Sequence, residues 1–417
     1  MRGPKLASMA WRNLWRHRRR TLLTLSSIAF GGFLAVLMTA MQDQSFADFI
    51  DTAARLGSGH VTIQHLEYQD SPTLTRTVPD AGTPSATAAA DRDVGLVVPR
   101  TAGQTLLSTA HDSFGAIFIA YDPQAETEDS FRLADGLKSG AMFETKDDSG
   151  IILGARLAQN LGAELGTKVV YTLTDRSGEI VAGMGRLKGI VETGSRGLDS
   201  GLCLLPIGTV RSLLGYDPTE TTQVAVFIDD SRRALAVRDR LRSELGAGTA
   251  VLTWDQIQPE LNAFIALKVG GGRVMIVIIA LLVAAGIFNT LFVSVMERVR
   301  EFGIMVALGY SAAQLFRLVI WESVWLAILG MLASIATIAW PYWYLNTHGL
   351  DMSAAFAQEG AVAEISGVGF DMVMRIGIFP EHALAIAASV LFATVAAGLY
   401  PAWKAGRVEP AETIRLQ

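Results

Sequence analysis

The chain has 417 residues, 50% of them hydrophobic and 18% charged, which is too apolar for an ordinary soluble protein of this length. A net charge of -5 offers no case for nucleic acid as a partner, and a single cysteine, Cys203, excludes an intrachain disulfide.

Residues 2–20 carry Arg2, Lys5, Arg12, Arg16, Arg18, Arg19 and Arg20 without one acid, and Trp11 and Trp15 sit among them as interface aromatics do. Residues 21–41 form the first apolar span, just long enough at ~1.5 Å per helical residue for a ~30 Å membrane core. The basic flank 1–20 places the N-terminus in the cytoplasm. No clear A-x-A cleavage site follows, and Arg18-Arg19-Arg20 matches a twin-arginine signal loosely. With three further spans downstream, the reading is an uncleaved anchor.

From Gln42 to Ala54 the pattern stays helical, with Phe46, Phe49 and Ile50 opposite Asp43, Gln44 and Asp51, so the first helix is expected to continue as a stalk. Gly57-Ser58-Gly59 breaks it, and His60–His65 alternates like a strand. Residues 66–92 read as loop. Strands are expected at 95–99, 116–121, 150–153, 168–174, 179–182, 187–191, 202–205 and 223–228, and helices at 155–165, 207–214 and 232–245. Gln256–Val269 is again amphipathic and reads as a second stalk, with Gly270-Gly271-Gly272 as a kink.

The second span, 274–296, ends in the charged cluster Glu297, Arg298, Arg300 and Glu301. The segment 297–311 is an elbow before the third span, 318–343. A loop at 345–380 has one basic residue, Arg375, against Asp351, Glu359, Glu364 and Asp371. The fourth span, 382–400, leads to a tail at 401–417 with Lys404, Arg407 and Arg415. Basic residues beside the spans put both termini in the cytoplasm and 42–273 in the periplasm of a Gram-negative cell. The expected architecture is an α-helical membrane protein with four transmembrane helices plus a large α+β periplasmic domain inserted between the first and second.

Sites are sparse. Gly162-Ala163-Glu164-Leu165-Gly166-Thr167-Lys168 has three residues between its glycines where a P-loop needs four, so ATP hydrolysis is expected on another chain and this chain is not read as an enzyme. His60 and His65, five apart on a strand, point to opposite faces and read as surface histidines, with no metal site. Ser195 lacks nucleophile-elbow spacing, and Asp147-Asp148 and Asp229-Asp230 read as turn carboxylates. Glu322 is the one acid well inside an apolar run; pairing with Arg317 or a neighbouring helix is favoured over a proton relay. Gly31, Gly32 and Gly286 are expected to allow close helix packing.

The string Glu297-Arg298-Val299-Arg300-Glu301-Phe302-Gly303-Ile304-Met305-Val306-Ala307-Leu308-Gly309 resembles the coupling segment of the FtsX/MacB-type ABC transporter permeases. The tail Tyr400-Pro401-Ala402-Trp403-Lys404-Ala405 with Val408–Arg415 is similar to that family's ending. Ala10–Thr21 and Gly59–Gln64 resemble its lipoprotein-releasing, LolC/LolE-like branch. Val306 and Phe302 depart from the family pattern, which commonly has a basic residue and Ile there.

The resemblance implies mechanotransmission: two permease chains, homodimer or paralogue heterodimer, over two copies of a separate ATPase that binds ATP and Mg, with no cofactor on this chain. It implies an inner-membrane location and a coupling role for Glu297, Arg298, Arg300, Glu301, Gly303, Ala307, Leu308 and Gly309. It further implies a lipoprotein substrate passed to a periplasmic carrier. Met38, Met41, Phe46, Phe49, Phe264, Ile265 and Leu267 are candidates for the acyl-chain cavity, with stalk packing as the competing reading. A MacB-like exporter of a peptide or toxin and an FtsX-like signalling permease acting on a periplasmic hydrolase are the alternatives.

Overall fold

A computed structural model describes residues 3–127, 130–134, 136–351, 364–365, 368–369 and 373–407. The tail motif Val408–Arg415, the loop acids Glu359 and Asp371, and Arg2 lie outside the described residues. The chain divides into two compact units: Met1–Ser45, Ala266–Asp351 and Val373–Gln417 form one, Phe46–Ile265 and Met352–Met372 the other.

The chain opens with α1 (Gly3–Leu14) and α2 (Arg18–Leu56), then β1 (Val61–Gln64), α3 (Gly82–Ala89), β2 (Val94–Ser108), β3 (Ser113–Tyr121) and β4 (Leu137–Gly140). Next come β5 (Gly150–Gly154), α4 (Ala155–Asn160), β6 (Lys168–Thr174), β7 (Ile180–Val191), α5 (Arg196–Gly201), β8 (Leu202–Pro206), α6 (Ile207–Leu214) and β9 (Gln223–Ile228). The order closes with α7 (Ala234–Leu245), β10 (Ala250–Thr253), α8 (Trp254–Ile257), α9 (Pro259–Glu297), α10 (Val299–Ala307), α11 (Ala312–His348) and α12 (Pro380–Gly406).

Among the described residues, α2, α9, α11 and α12 are long and apolar enough to cross a membrane. Each runs beyond the apolar stretch that marks it in the sequence. The glycines Gly270-Gly271-Gly272, read as a kink, do not interrupt α9, which runs as one helix from Pro259 to Glu297. Here glycine serves close approach: a Cβ on Gly272 would lie 2.4 Å from Gln42 Oε1, and Gln42 donates to the Lys268 carbonyl at 3.1 Å. Pro341 and Pro401 likewise sit inside α11 and α12 and do not end them.

Small residues set the helix contacts as membrane packing demands, since lipid supplies no hydrophobic drive between helices. A Cβ on Gly31 would meet Val283 Cγ2 at 2.3 Å, and one on Gly32 would meet Ser334 Oγ at the same distance. Gly330 against Ile28 and Gly398 against Ser323 do the same work and escaped the sequence reading. At Gly286 a Cβ would meet nothing within 4 Å, so this glycine opens no contact among the described residues of the chain.

In the second unit, β2 belongs to two sheets. Its first half, Val94–Arg100, pairs with β9, which continues to β1 and β10. Its second half, from Thr101, pairs with β3 and β6. The path β2–β3–β8–β5–β7–β6 then returns to β2, a closed ring. Alternate residues from all six strands fill it, among them Leu107, Phe118, Leu205, Ile151, Leu187 and Tyr171, with Cys203 buried in the same cluster. The other lobe packs β1, β9 and β10 against Ala88 of α3 and Val237 and Leu241 of α7.

Three sequence expectations change here. The loop at 66–92 contains α3, whose Pro84 falls in the first turn, where a missing N–H costs nothing. The helix expected over 155–165 stops at Asn160, and Gly162 follows in the left-handed region at φ +58°. The strands expected at 179–182 and 187–191 are one strand, β7.

Where β2 changes sheets stands Arg100, fully buried. Its guanidinium pairs with Glu126 through Nε at 2.7 Å and Nη2 at 2.9 Å, donates to the Ser130 carbonyl, and reaches the carbonyl of Gly57 just past α2. The rings of Phe131 and Phe227 lie 5.1 and 5.3 Å from it. Removing one partner of such a pair strands the other charge, at about 3–5 kcal/mol. Arg100→Met is therefore expected to lower the unfolding free energy of the purified chain by about that amount in a denaturant titration. For the membrane helices, Gly31→Leu should destabilise by about 1–3 kcal/mol through overpacking. Gly286→Leu should stay within about 0.5 kcal/mol in the same thermal melt in detergent.

Candidate functional site

The elbow is a short helix with two differently occupied faces. α9 stops at Glu297 because Arg298 leaves helical geometry at φ -102°, ψ 10°. α10 stops at Leu308 with paired capping bonds, Gly309 N–H to Val306 C=O at 2.9 Å and Tyr310 N–H to Met305 C=O at 3.0 Å. This closure needs a left-handed residue, which Gly309 supplies at φ +95°. Ser311 then opens α11 with a capping box to Gln314.

The inner face of α10 carries Phe302, fully buried, and Gly303. Phe302 packs with Ala10, Val295, Leu315, Leu318, Val319, Ala402 and Ala405. The outer face carries Arg300, Ile304, Ala307 and Leu308, all exposed, Leu308 at 75%. Positions i, i+4, i+7 and i+8 fall on one helical stripe. A charged residue and two large apolar ones thus face outward together.

The remaining elbow charges are satisfied within the chain. Arg298 is buried, with Nη1 3.0 Å from Glu322 Oε1 and Nε 3.1 Å from Glu301 Oε2. Glu301 also pairs with Arg16 at 3.0 Å, and Glu297 with Arg20 at 2.7 Å. Asn13 of α1 donates to Glu322 Oε1 at 2.9 Å. Glu322 is thus paired with a neighbouring segment as one sequence reading expects, but its cation is Arg298 and not Arg317. Asn13, Arg20, Thr24, Ser294, Arg298 and Glu322 line a cavity of about 30 Å³. That is room for about one water molecule and not for a substrate.

The predicted coupling residues therefore separate into outward groups (Arg300, Ala307, Leu308), chain-internal pairs (Glu297, Arg298, Glu301), Gly303 on the buried inner face and Gly309 in the left-handed cap. Ile304, missed in the sequence, completes the outward stripe; its i+4 spacing from both Arg300 and Leu308 was the available signal. The basic flank also hides a helix, α1, with Leu6, Ala10 and Leu14 buried and Trp325 Nε1 donating to the Ala7 carbonyl at 3.1 Å.

The predicted acyl-chain residues fall in both units. In the first, Met38 and Leu267 are exposed and Met41 half-buried. In the second, Phe49 and Ile265 are buried, Phe46 and Phe264 are half-buried, and the Phe49 and Phe264 rings lie 6.5 Å apart. The larger described cavity, about 400 Å³ in the second unit, has none of them in its lining; Arg55, His60, Thr127, Ser130, Phe227 and Asp229 face it.

His60 does not occupy the surface position expected of it. It is buried, because both flanks of β1 are paired; its Nδ1 accepts from Ile228 N–H at 3.3 Å and its Nε2 faces Asp51 Oδ1 at 3.3 Å. Ser195 caps α5 by accepting from Leu198 N–H. Asp148 does more than close a turn, since it pairs with Lys188 at 2.7 Å and accepts from Gly150 N–H.

Residues 273–410 match the FtsX-like permease C-terminal family. Residues 21–244, more than half of the chain, match the MacB-like periplasmic core domain family. The chain belongs to the FtsX/MacB-type ABC transporter permeases. The permease is 28% identical over 307 residues to a lipoprotein-releasing system transmembrane protein LolC of Xylella fastidiosa strain Temecula1, covering 71% of each chain. A LolC of Neisseria meningitidis serogroup B is 26% identical over 329 residues, 76% of the permease and 77% of that protein. A macrolide export ATP-binding/permease protein MacB of Nitrobacter winogradskyi is 25% identical over 415 residues, 95% of the permease but 58% of its own length.

Burial alone would raise the Asp148 carboxyl, but the hydrogen bonds from Lys188 and Gly150 outweigh it and hold it below the usual carboxylate range. A depressed folded value stabilises the fold above the unfolded value of ~3.9 and loses that contribution as pH falls through the folded one. Asp148→Asn should therefore lower the melting temperature of the permease at pH 7, and the gap from wild type should close as the melt is repeated below about pH 4.

Proposed function

We propose that this permease is the membrane subunit of a mechanotransmission system that extracts lipoproteins from the outer leaflet of the inner membrane and hands them to a periplasmic carrier. A separate ATP-binding subunit, present in two copies with its ATP and Mg, docks on the outward stripe of α10 and drives a pair of permease chains. The termini and the elbow face the cytoplasm in this reading, and the chain catalyses no reaction itself.

The observation that carries the docking is the exposed stripe Arg300, Ile304, Ala307 and Leu308 on a helix whose other face is fully engaged. A rigid, anchored helix can receive a push without dissipating it in its own rearrangement. The lipoprotein assignment draws support from the two LolC relatives, where the matched share is the same, to within a percentage point, in both partners. No P-loop pattern occurs in the 417 residues, in keeping with ATP on another subunit.

One observation favours a second reading. The match to the MacB relative runs over 95% of this chain, so export of a periplasmic peptide or toxin is the alternative load for the same coupling device. Crosslinking from Met38 or Leu267 in native membranes separates the two: a captured acylated protein supports lipoprotein extraction, and a captured unacylated peptide supports export.

Docking is tested by Ile304→Glu and Leu308→Glu. Both side chains are exposed, so the melting temperature should stay within a few degrees of wild type. Co-purification of the ATP-binding subunit should fall at least tenfold, the effect of losing an apolar contact worth about 1.4 kcal/mol or more. Retention of the subunit at wild-type levels in both variants would sink the docking face.

A further inference from the structure

The elbow pairs do more than anchor α10. Glu322 accepts from two segments at one carboxylate: Arg298, at the entrance to α10, and Asn13, near the end of α1. Around this point Arg16 pairs with Glu301 and Arg20 with Glu297, so the chain leading into the first turn of α2 is tied to both ends of the turn from α9 into α10. Ala10 of α1 and Phe302 of α10 share one apolar cluster on Leu315, Leu318 and Val319 of α11. Trp11 packs edge-on against Trp325 at 5.1 Å.

These contacts differ in strength. Arg16–Glu301 and Arg20–Glu297 are exposed and contribute little each. Glu322 and Arg298 are buried, with side chains 5% and 8% exposed. An unpaired charge there would be costly, so the three groups have one well-defined arrangement. The exposed pairs supply orientation and the buried one supplies rigidity.

We infer that Glu322 is a positioning residue that makes α1 and α10 one body, so that a displacement of α10 reaches the start of α2 directly as well as the end of α9. The permease then has two input arms from one contact. This inference rests on the docking reading for the source of the push, but the joint itself is a property of the chain.

The test uses the full-length permease in lipid nanodiscs with the paired variant Arg298→Met/Glu322→Met. Replacing both charges by apolar side chains of similar size leaves no stranded ion, so the variant should melt within a few degrees of wild type. It can neither accept from Asn13 nor hold position 298 through an ion pair. Hydrogen exchange in residues 3–17 and 299–307 should then rise at least tenfold in both segments, while α12 keeps wild-type protection. Glu322→Asp, which keeps the charge, should recover most of the protection.

Unchanged exchange in residues 3–17 of the folded double variant would overturn the inference, as would loosening of 299–307 alone. With the ATP-binding subunit bound, the double variant should retain the subunit and hydrolyse ATP while release of the load falls at least tenfold. Wild-type release would also overturn the inference. If the unmutated chain captures no ATP-binding subunit, the docking reading fails, and the exchange result alone decides the joint.

Discussion

A carboxylate well inside an apolar helix is tolerable when a cation meets it there, and Glu322 meets Arg298. Most of the elbow follows from that one pair. Arg298 must turn inward to reach Glu322, and it stands at the non-helical residue between α9 and α10. Phe302, one turn on, then lies against the guanidinium at 5.2 Å and buries its ring in the same cluster. With 298, 302 and 303 turned inward, helical geometry sends 300, 304, 307 and 308 outward. A single buried ion pair thus decides which residues of the segment are left for a partner.

The second unit has its own buried ion pair, Arg100 with Glu126, at the point where β2 passes from one sheet to the other. Two aromatic rings and two carbonyls complete the shell, so the cation is satisfied without water access. One of those carbonyls belongs to Gly57, directly after α2. The end of the long helix is therefore fixed to the strand that both lobes share, and neither lobe can shift on β2 without disturbing that contact.

Much of this was legible in the sequence, and the failures have physical reasons. The strands at 168–174 and 223–228 and the helix at 207–214 have the bounds that periodicity and flanking turn residues indicated. β4, with the sequence Leu-Lys-Ser-Gly, has no alternating apolar pattern; its pairing with β7 makes it a strand. Glycine signals either flexibility or close approach, and at Gly272 the neighbour Gln42, invisible in the local sequence, supplies the close approach. The elbow motif resembles a coupling segment in sequence, yet the pairing of its charges is not legible there. Arg298 finds its partner 24 residues away, Glu301 finds Arg16 285 away, and no local pattern encodes such pairings. The masking of α1 as a mere basic flank has the same origin, since its buried face is defined by α11.

The closed ring β2–β3–β8–β5–β7–β6 has a consequence for recognition. A sheet with an open edge can bind a partner by adopting its strand, a mode that reads backbone and tolerates many sequences. Six of this unit's strands have spent that capacity on one another. A partner of the ring must instead read side chains on its outer wall, where Ile117, Leu106, Val170 and Met184 stand exposed. Strand-adopting association falls to the rims, at β10 and β4, each paired with a single neighbour among the described residues. The fold thereby favours partners selected by shape and side-chain chemistry over partners that merely offer an extended chain.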